Sequence, residues 1–346
     1  MGVVSEPDIE LGVPRDLGDG ITSIAVPFPN NPLGYTLVYV IDSDSGPVLI
    51  DTGWNDPESW RGLNDGLHAL GLSIDRVYGV VITHHHPDHS GLNYLVKQNS
   101  SAWIAMHPAD AAQVRKFTEA VRNGESLDGW EASGLERAGA SAAEVEEFGA
   151  HGRGMRPPAI PDREPEDGEL IDLPGRKLRA LWTPGHTPGH LCFVLEDAGK
   201  DGAGRLFTGD HLLPRITPHV GLYPYDTPDI DPLTDFLASQ TRLTDLRIDD
   251  ALPAHRREFH GVTARAEEII AHHEERLEEL RALLSDDPIS LWDATSRLHW
   301  KRPWDQMPVF QRRMAAGEAA AHLRTLETRG QAHRTPDKTT LTYVEA

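Results

Sequence analysis

Thr83-His84-His85-His86-Pro87-Asp88-His89-Ser90-Gly91 directly follows the apolar run Val77-Tyr78-Gly79-Val80-Val81-Ile82. A short apolar run of this kind reads as a buried strand, so the polar cluster lies where a strand ends and its side chains converge at the sheet edge. The spacing is H-x-H-x-D-H. Side chains alternate along a strand, so His84 and His86 share a face and both imidazoles reach one point. Pro87 holds His86 extended and suits the first turn of a helix. Asp88 and His89 begin that helix, turned away from the first pair. Two ligand groups pointing two ways predict two adjacent metal ions, and imidazole with carboxylate suits zinc or iron. Each of these histidines taken singly reads as a solvated loop residue; the whole pattern behind a buried strand does not.

The chain has 346 residues, enough for one large domain and a smaller one. No stretch approaches the length of a membrane span, and the N-terminus lacks a basic region followed by an apolar core, so a soluble protein with no membrane partner is expected. The formal charge of -21 comes from 54 acidic against 33 basic residues, with no basic stripe to offset it. Nucleic-acid affinity depends on Lys and Arg at phosphates, so no nucleic-acid partner is expected. The single cysteine, Cys192, sits in the apolar run Leu191 to Leu195. It cannot form an internal disulfide, which agrees with a reducing cytoplasm, and it reads as inert packing.

Strands are expected at Ile21 to Val26, Tyr35 to Ile41 and Pro47 to Ile50, the last ending in Asp51. A helix over Pro57 to Leu70, the strand at 77–82, a helix through Gln98 and a strand at Ala102 to Met106 continue the alternation. From about 108 to 165 the texture changes to two helical stretches, 108–122 and 141–148, separated by Gly-rich and charged sequence, with irregular segments at 151–158 and 161–168 that read as a lid or a plain surface insertion. Strands resume at Glu169 to Leu173, Lys177 to Thr183, Leu191 to Glu196 and Arg205 to Thr208. A helix at Asp231 to Leu246 and a short strand at 251–255 close this half. Beyond His260 the pattern is helical, at Val262 to Leu284, Ile289 to Leu298 and Gly317 to Thr328, with a strand-like tail at Lys338 to Val344. Two domains are expected, 1–260 and 261–346.

Three more strand ends carry chemistry: Thr183-Pro-Gly-His186-Thr-Pro-Gly-His190, Thr208-Gly-Asp210-His211, and His255. In this order after H-x-H-x-D-H, the chain resembles the metallo-β-lactamase superfamily over Ile21 to His260. The resemblance implies an αββα sandwich with metals at one edge. It implies that His84, His86 and His186 hold a first ion, that Asp88, His89 and His255 hold a second, and that Asp210 bridges them. Asp51 matches a carboxylate that lies behind the ligands and orients them. His85, His107, His190 and His211 are read as structural. The run Gly317 to Gly330 resembles the winged-helix-like tail of the β-lactamase-like protein 2 branch, read here as a small, mainly helical cap or homodimer contact.

The activity so implied is hydrolysis of a small-molecule thioester, ester or lactone by hydroxide shared between two Zn2+ ions, with Asp88 and Asp210 as proton acceptors. The N/O ligand set also accepts iron or manganese. Tyr223 and Tyr225 are expected substrate contacts. The alternatives are a mononuclear iron sulfur dioxygenase and, less favoured by the charge, a phosphodiesterase or RNA-processing nuclease.

Overall fold

The structure is a computed structural model that describes residues 9–125, 127–150, 157–224, 226, 229–335 and 340–346. Its first sheet runs in chain order through β1 (Pro14–Asp16), β2 (Ile21–Pro27), β3 (Tyr35–Ile41), β4 (Val48–Ile50), β5 (Gly79–Val81) and β6 (Trp103–Ala105). The first four pair antiparallel, while β4, β5 and β6 pair parallel. Parallel neighbours need crossovers, supplied by helix α1 (Pro57–Ala69) and by the short helices α2 (Pro87–Ser90) and α3 (Asn93–Asn99). Helix α1 starts where Asp56 accepts a hydrogen bond from the Glu58 amide and Pro57 takes the first turn.

The insertion that follows holds three helices, α4 (Pro108–Arg122), α5 (Leu127–Ala138) and α6 (Ala142–Ala150). The second sheet comprises β7 (Leu178–Trp182), β8 (Leu191–Leu195), β9 (Arg205–Gly209), β10 (Asp250–Pro253) and β11 (Phe259–His260), in the order β11-β10-β9-β8-β7. Helix α7 (Pro232–Thr244) crosses between the parallel neighbours β9 and β10.

Alternation along the strands builds the layers. In β3, Leu37, Tyr39 and Ile41 face one core while Val38 and Val40 face another. The first set meets Leu191, Phe193 and Leu195 of β8 and Phe207 of β9 between the sheets. The second set packs under Leu63 and Leu67 of α1 and Val96 of α3. On the far side, Cys192 and Leu206 join Leu233 and Phe236 of α7. The result is helix, sheet, sheet, helix.

The last segment runs α8 (Val262–Arg281), β12 (Ile289–Ser290), α9 (Leu291–Arg297), α10 (Val309–Thr328), β13 (Ala332–Arg334) and β14 (Thr342–Glu345), with an antiparallel sheet ordered β12-β14-β13. Its core is continuous with the outer helix layer: Leu212 and Phe236 share one cluster with Ala266, Leu277 and Leu323. Most of α10 is buried from Ala315 to Leu326.

Several expectations are corrected. Residues 169–173 form no strand, only the isolated pairing of Leu170 with Arg179. Helix α5 lies in the Gly-rich, charged stretch between the two expected helices, residues 151–156 of the irregular segment lie outside the described residues, and α10 begins at Val309 rather than Gly317. Residues Ile289–Ser290 are a strand that precedes α9, not its first turn, and the tail strand is Thr342–Glu345. The insertion does not hang free: Arg312 of α10 pairs with Glu144 of α6 at 2.8 Å, and Arg313 pairs with Glu131 of α5.

Candidate metal centre

Strand ends deliver the polar residues to one edge of the sandwich. β5 leads into Thr83 and the His84–His89 turn, the β7–β8 connection carries His186, β9 runs into Asp210, and β10 is followed by His255. Three imidazoles meet first. His84 Nε2 lies 3.0 Å from His86 Nδ1 and 3.1 Å from His186 Nε2. Beside them, Asp88, His89, Asp210 and His255 form a second group of converging ligand atoms. His255 Nε2 is 3.4 Å from Asp88 Oδ2 and 3.3 Å from Asp210 Oδ1, and His89 Nε2 is 3.5 Å from the same Asp210 oxygen. The other Asp210 oxygen, Oδ2, is 3.8 Å from His186 Nε2. Asp210 therefore stands between the groups with one oxygen toward each.

Four of the five imidazoles use their second nitrogen on a fixed partner, which sets ring orientation and tautomer. His84 Nδ1 is 3.0 Å from the Thr83 hydroxyl. His186 Nδ1 donates to the His219 carbonyl at 2.6 Å, and His255 Nδ1 donates to the Tyr35 carbonyl at 3.0 Å. His89 Nδ1 meets Asp51 Oδ2 at 2.8 Å. Asp51 also accepts from the Thr83 amide and hydroxyl, both at 2.8 Å, so it braces both groups. Its φ of 63° is a left-handed conformation, a strained backbone held where these bonds converge.

The groups differ in charge. Burial, then repulsion among the clustered imidazoles, holds His84 and His86 well below the usual histidine range, and burial brings His186 down to about 4. They are neutral lone-pair donors. Burial also works to lower His89 and His255, but the carboxylates of Asp210 and Asp88 outweigh it: His89 is held well above its ordinary value and His255 rises to about 10. Burial would raise Asp210, and the facing His255 and His89 instead hold it well below the carboxylate range.

A cation fits this donor set. His89 Nε2, His255 Nε2 and Asp210 Oδ1 are buried with no hydrogen-bond partner, an expensive condition for polar atoms unless something else satisfies them. Three neutral nitrogens at contact distance in the first group pose the same problem, and an ion at their centre answers it.

Residues not anticipated from the sequence tie the site together. Asp110 on α4 is fully buried and accepts from the His85 amide at 2.8 Å, the Gly189 amide at 2.6 Å and the Thr187 hydroxyl at 2.8 Å, with His85 Nδ1 at 3.1 Å. It joins the 84–89 turn to the loop carrying His186. Burial would raise its pKa, yet His85 and these donors hold it below the ordinary value. His219 and Tyr35, through their carbonyls, are the other omissions. Among the histidines read as structural, His107 caps α4 and stacks on Trp182. His190 accepts from the Asp210 amide at 3.3 Å and meets the Thr183 hydroxyl at 2.9 Å. His211 is buried behind it. The Cys192 thiol is pushed by burial up to about 12. Tyr223 lies against the site, lining a small cleft with His86 and His186 under the Arg313 guanidinium, which sits 4.6 Å from its ring. Tyr225 lies outside the described residues.

The Metallo-beta-lactamase superfamily model matches residues 31–255, from before β3 to the strand end that carries His255. A metallo-beta-lactamase family protein from Thermus thermophilus superposes with a TM-score of 0.77 at 32% identity, covering 96% of this chain and 100% of that one. The Lactamase-like protein adaB of Aspergillus niger is 26% identical over 249 residues, 72% of this chain and 58% of the relative. The Atrochrysone carboxyl ACP thioesterase of Passalora fulva is 25% identical over 256 residues, 72% of this chain and 55% of the relative. This chain thus spans little more than half the length of either fungal protein.

Proposed function

This chain belongs to the metallo-beta-lactamase superfamily, and from that premise we propose that it is a metal-dependent hydrolase of a small-molecule thioester, with esters and lactones as chemically adjacent substrates. One observation carries the reading: the buried, partnerless His89 Nε2, His255 Nε2 and Asp210 Oδ1 face one another beside three converging imidazoles. His84, His86 and His186 would hold one ion, Asp88, His89 and His255 a second, and Asp210 both. Zinc is the metal proposed, and iron or manganese suits the same donors. Two such ions supply Lewis acidity toward the scissile carbonyl and a water of lowered pKa.

The chain's own groups do the rest. Asp88 and Asp210 are held ionised by the facing imidazoles, which suits them as anionic ligands and weakens them as bases, so as proton acceptors they would take up a proton only transiently. Tyr223, its phenol pushed by burial up to about 12, stays protonated near neutral pH and would donate to a substrate oxygen from the lining of the cleft beside His86 and His186. The thioester preference is supported by the likeness to a relative whose name is that of a thioesterase.

The 261–346 segment follows the helix-strand-helix-helix-strand-strand order of a winged helix, with its third strand at the sheet centre, and we assign it that character. Its third helix, α10, is buried against the sandwich rather than offered to a groove. That placement supports a cap over a small-molecule site and no nucleic-acid partner.

Metal analysis of the purified protein, followed by a panel of thioesters, lactones and β-lactams, tests the proposal. The expected result is about two ions per chain, as in dinuclear hydrolases, with thioester turnover abolished by chelation. One iron per chain with oxygen consumption would overturn it in favour of a dioxygenase.

A further inference from the structure

The cleft beside His86 and His186 adjoins, across Tyr223, a cavity of about 270 Å³ bounded by α5, Leu222 to Pro224, Asp226, α10 and the terminal strands. Tyr223 and Asp226 line both spaces. The middle of the cavity is apolar, walled by Leu135, Leu222, Ala316 and Ala320. Its inner end is charge-balanced, since Arg313 pairs with Glu131 there. The outer end is not balanced. Arg137 of α5, Arg324 of α10 and Arg334 of β13 line it and act together on the buried Tyr343, each lowering its phenol against the larger effect of burial. Arg324 is paired with Glu327 at 3.3 Å, while Arg137 and Arg334 are exposed and have no carboxylate partner among the described residues.

Three guanidiniums lining one end of a cavity with a single carboxylate, Glu327, beside them are an excess of positive charge that needs an explanation in a chain of net charge -21. Like charges gather at a cost unless an anion joins them, and several planar donor forks match the oxygens of a phosphate. The order from the ligand histidines outward is phenol, apolar wall, cationic rim. That order suits a long, mostly uncharged arm with a reacting acyl end and a phosphate at the far end.

We propose that this cavity is the binding site for a phosphate-bearing thioester arm of the pantetheine type, with Arg137, Arg324 and Arg334 reading the phosphate and Tyr223 marking the passage to the reacting carbonyl. The inference rests on the thioester reading above, and it makes the C-terminal segment a specificity element, since residues between Leu291 and Tyr343 supply half of the lining. The cationic end is shared chemistry for two sources, a free coenzyme-like thioester and one tethered to a carrier protein.

The test compares one short acyl group on 4'-phosphopantetheine, on pantetheine without the phosphate, and on a phosphopantetheinylated carrier protein. With the intact protein, kcat/KM is expected to favour the phosphorylated arm by about tenfold or more, the equivalent of one good charge-assisted contact. The preference should collapse in the double variant Arg137→Glu, Arg334→Glu and survive in large part in Arg137→Lys, Arg334→Lys. A phosphate preference with the free arm assigns the site to a coenzyme-like thioester; one confined to the tethered arm assigns it to a carrier protein. Equal rates for all three substrates, or a preference unmoved by the Glu variant, would overturn the proposal. Failure of the hydrolase reading is distinguishable, because it abolishes turnover of all three thioesters. In that event, calorimetric binding of 4'-phosphopantetheine itself decides: binding that the Glu variant loses supports the cavity, and no binding overturns it.

Discussion

The two halves of the candidate metal centre are built from the same residue types and behave as opposites. His84, His86 and His186 are buried among one another and stay neutral. His89 and His255, no less buried, face Asp88 and Asp210 and are held protonated near neutral pH. A cation entering the first group displaces nothing, whereas a cation entering the second must replace two protons. The lesson is that six consecutive residues can serve two electrostatic environments, because the turn at Pro87 sends His84 and His86 to one and Asp88 and His89 to the other.

The most damaging way to break this contrast is Asp210→Ala, which removes the one side chain facing both groups. We expect thioester turnover to fall by roughly 10³-fold or more, on the order of 4 kcal/mol of barrier, with metal content dropping to about one ion per chain, since the three-histidine group needs no carboxylate. Retention of full metal content and full activity would show that Asp210 joins nothing.

A pH titration of metal affinity sharpens the contrast without changing a residue. His89 and His255 have folded-state pKa values above the ordinary 6.5, so in the ion-free protein their attraction to the carboxylates contributes stability fully present below pH 6.5; the share of His255 is lost as pH rises through about 10, and that of His89 as pH rises through its own raised value. Protons compete with the ion throughout that window. Affinity at the second group should therefore rise by up to about a hundredfold per pH unit, for two protons released, while the first group stays nearly flat. Proton release measured with a pH indicator during metal titration checks this: about two protons per chain from the imidazoles, and up to about one more from the water of lowered pKa, are expected with the second equivalent of metal, and none with the first.

The smallest change expected is at the seam between the loops. Asp110→Asn leaves every ligand in place but orphans at least one donor in a fully buried cluster. The expected cost is about 2 kcal/mol of stability, read from chemical denaturation. It should weaken the first group more than the second, because Asp110 touches the neighbours of His84, His86 and His186. An equal loss of metal from both groups would mean that Asp110 only supports the fold.

The H-x-H-x-D-H turn was legible because strand alternation and one proline determine where its side chains point, with no long-range information needed. His186, Asp210 and His255 became legible as strand-end residues in a recognisable order. Asp110 did not, since a lone aspartate early in a helix carries no signal of what it faces; only the packing of α4 across both loops reveals it. The carbonyls of His219 and Tyr35 are backbone groups and leave no mark on composition at all. Helix α5 was hidden by Gly129 and Gly134, which weaken helix propensity. Gly134 has a packing reason, since a Cβ there would come within 2.2 Å of Pro224. The early start of α10 was missed because Gly317 looked like a boundary, whereas Pro308 is the actual stop before Val309.

The ligand set also draws on both sheets of the sandwich. His84, His86, Asp88 and His89 follow a strand of the first, while His186, Asp210 and His255 follow strands of the second. An ion pair held there would act as a removable clasp across the mouth of the β-sandwich, closing a loop between distant parts of the chain and binding only when both sheets are in register. Catalytic competence and mechanical integrity of that edge are then one property, so loss of metal should loosen the sandwich from the active-site end first.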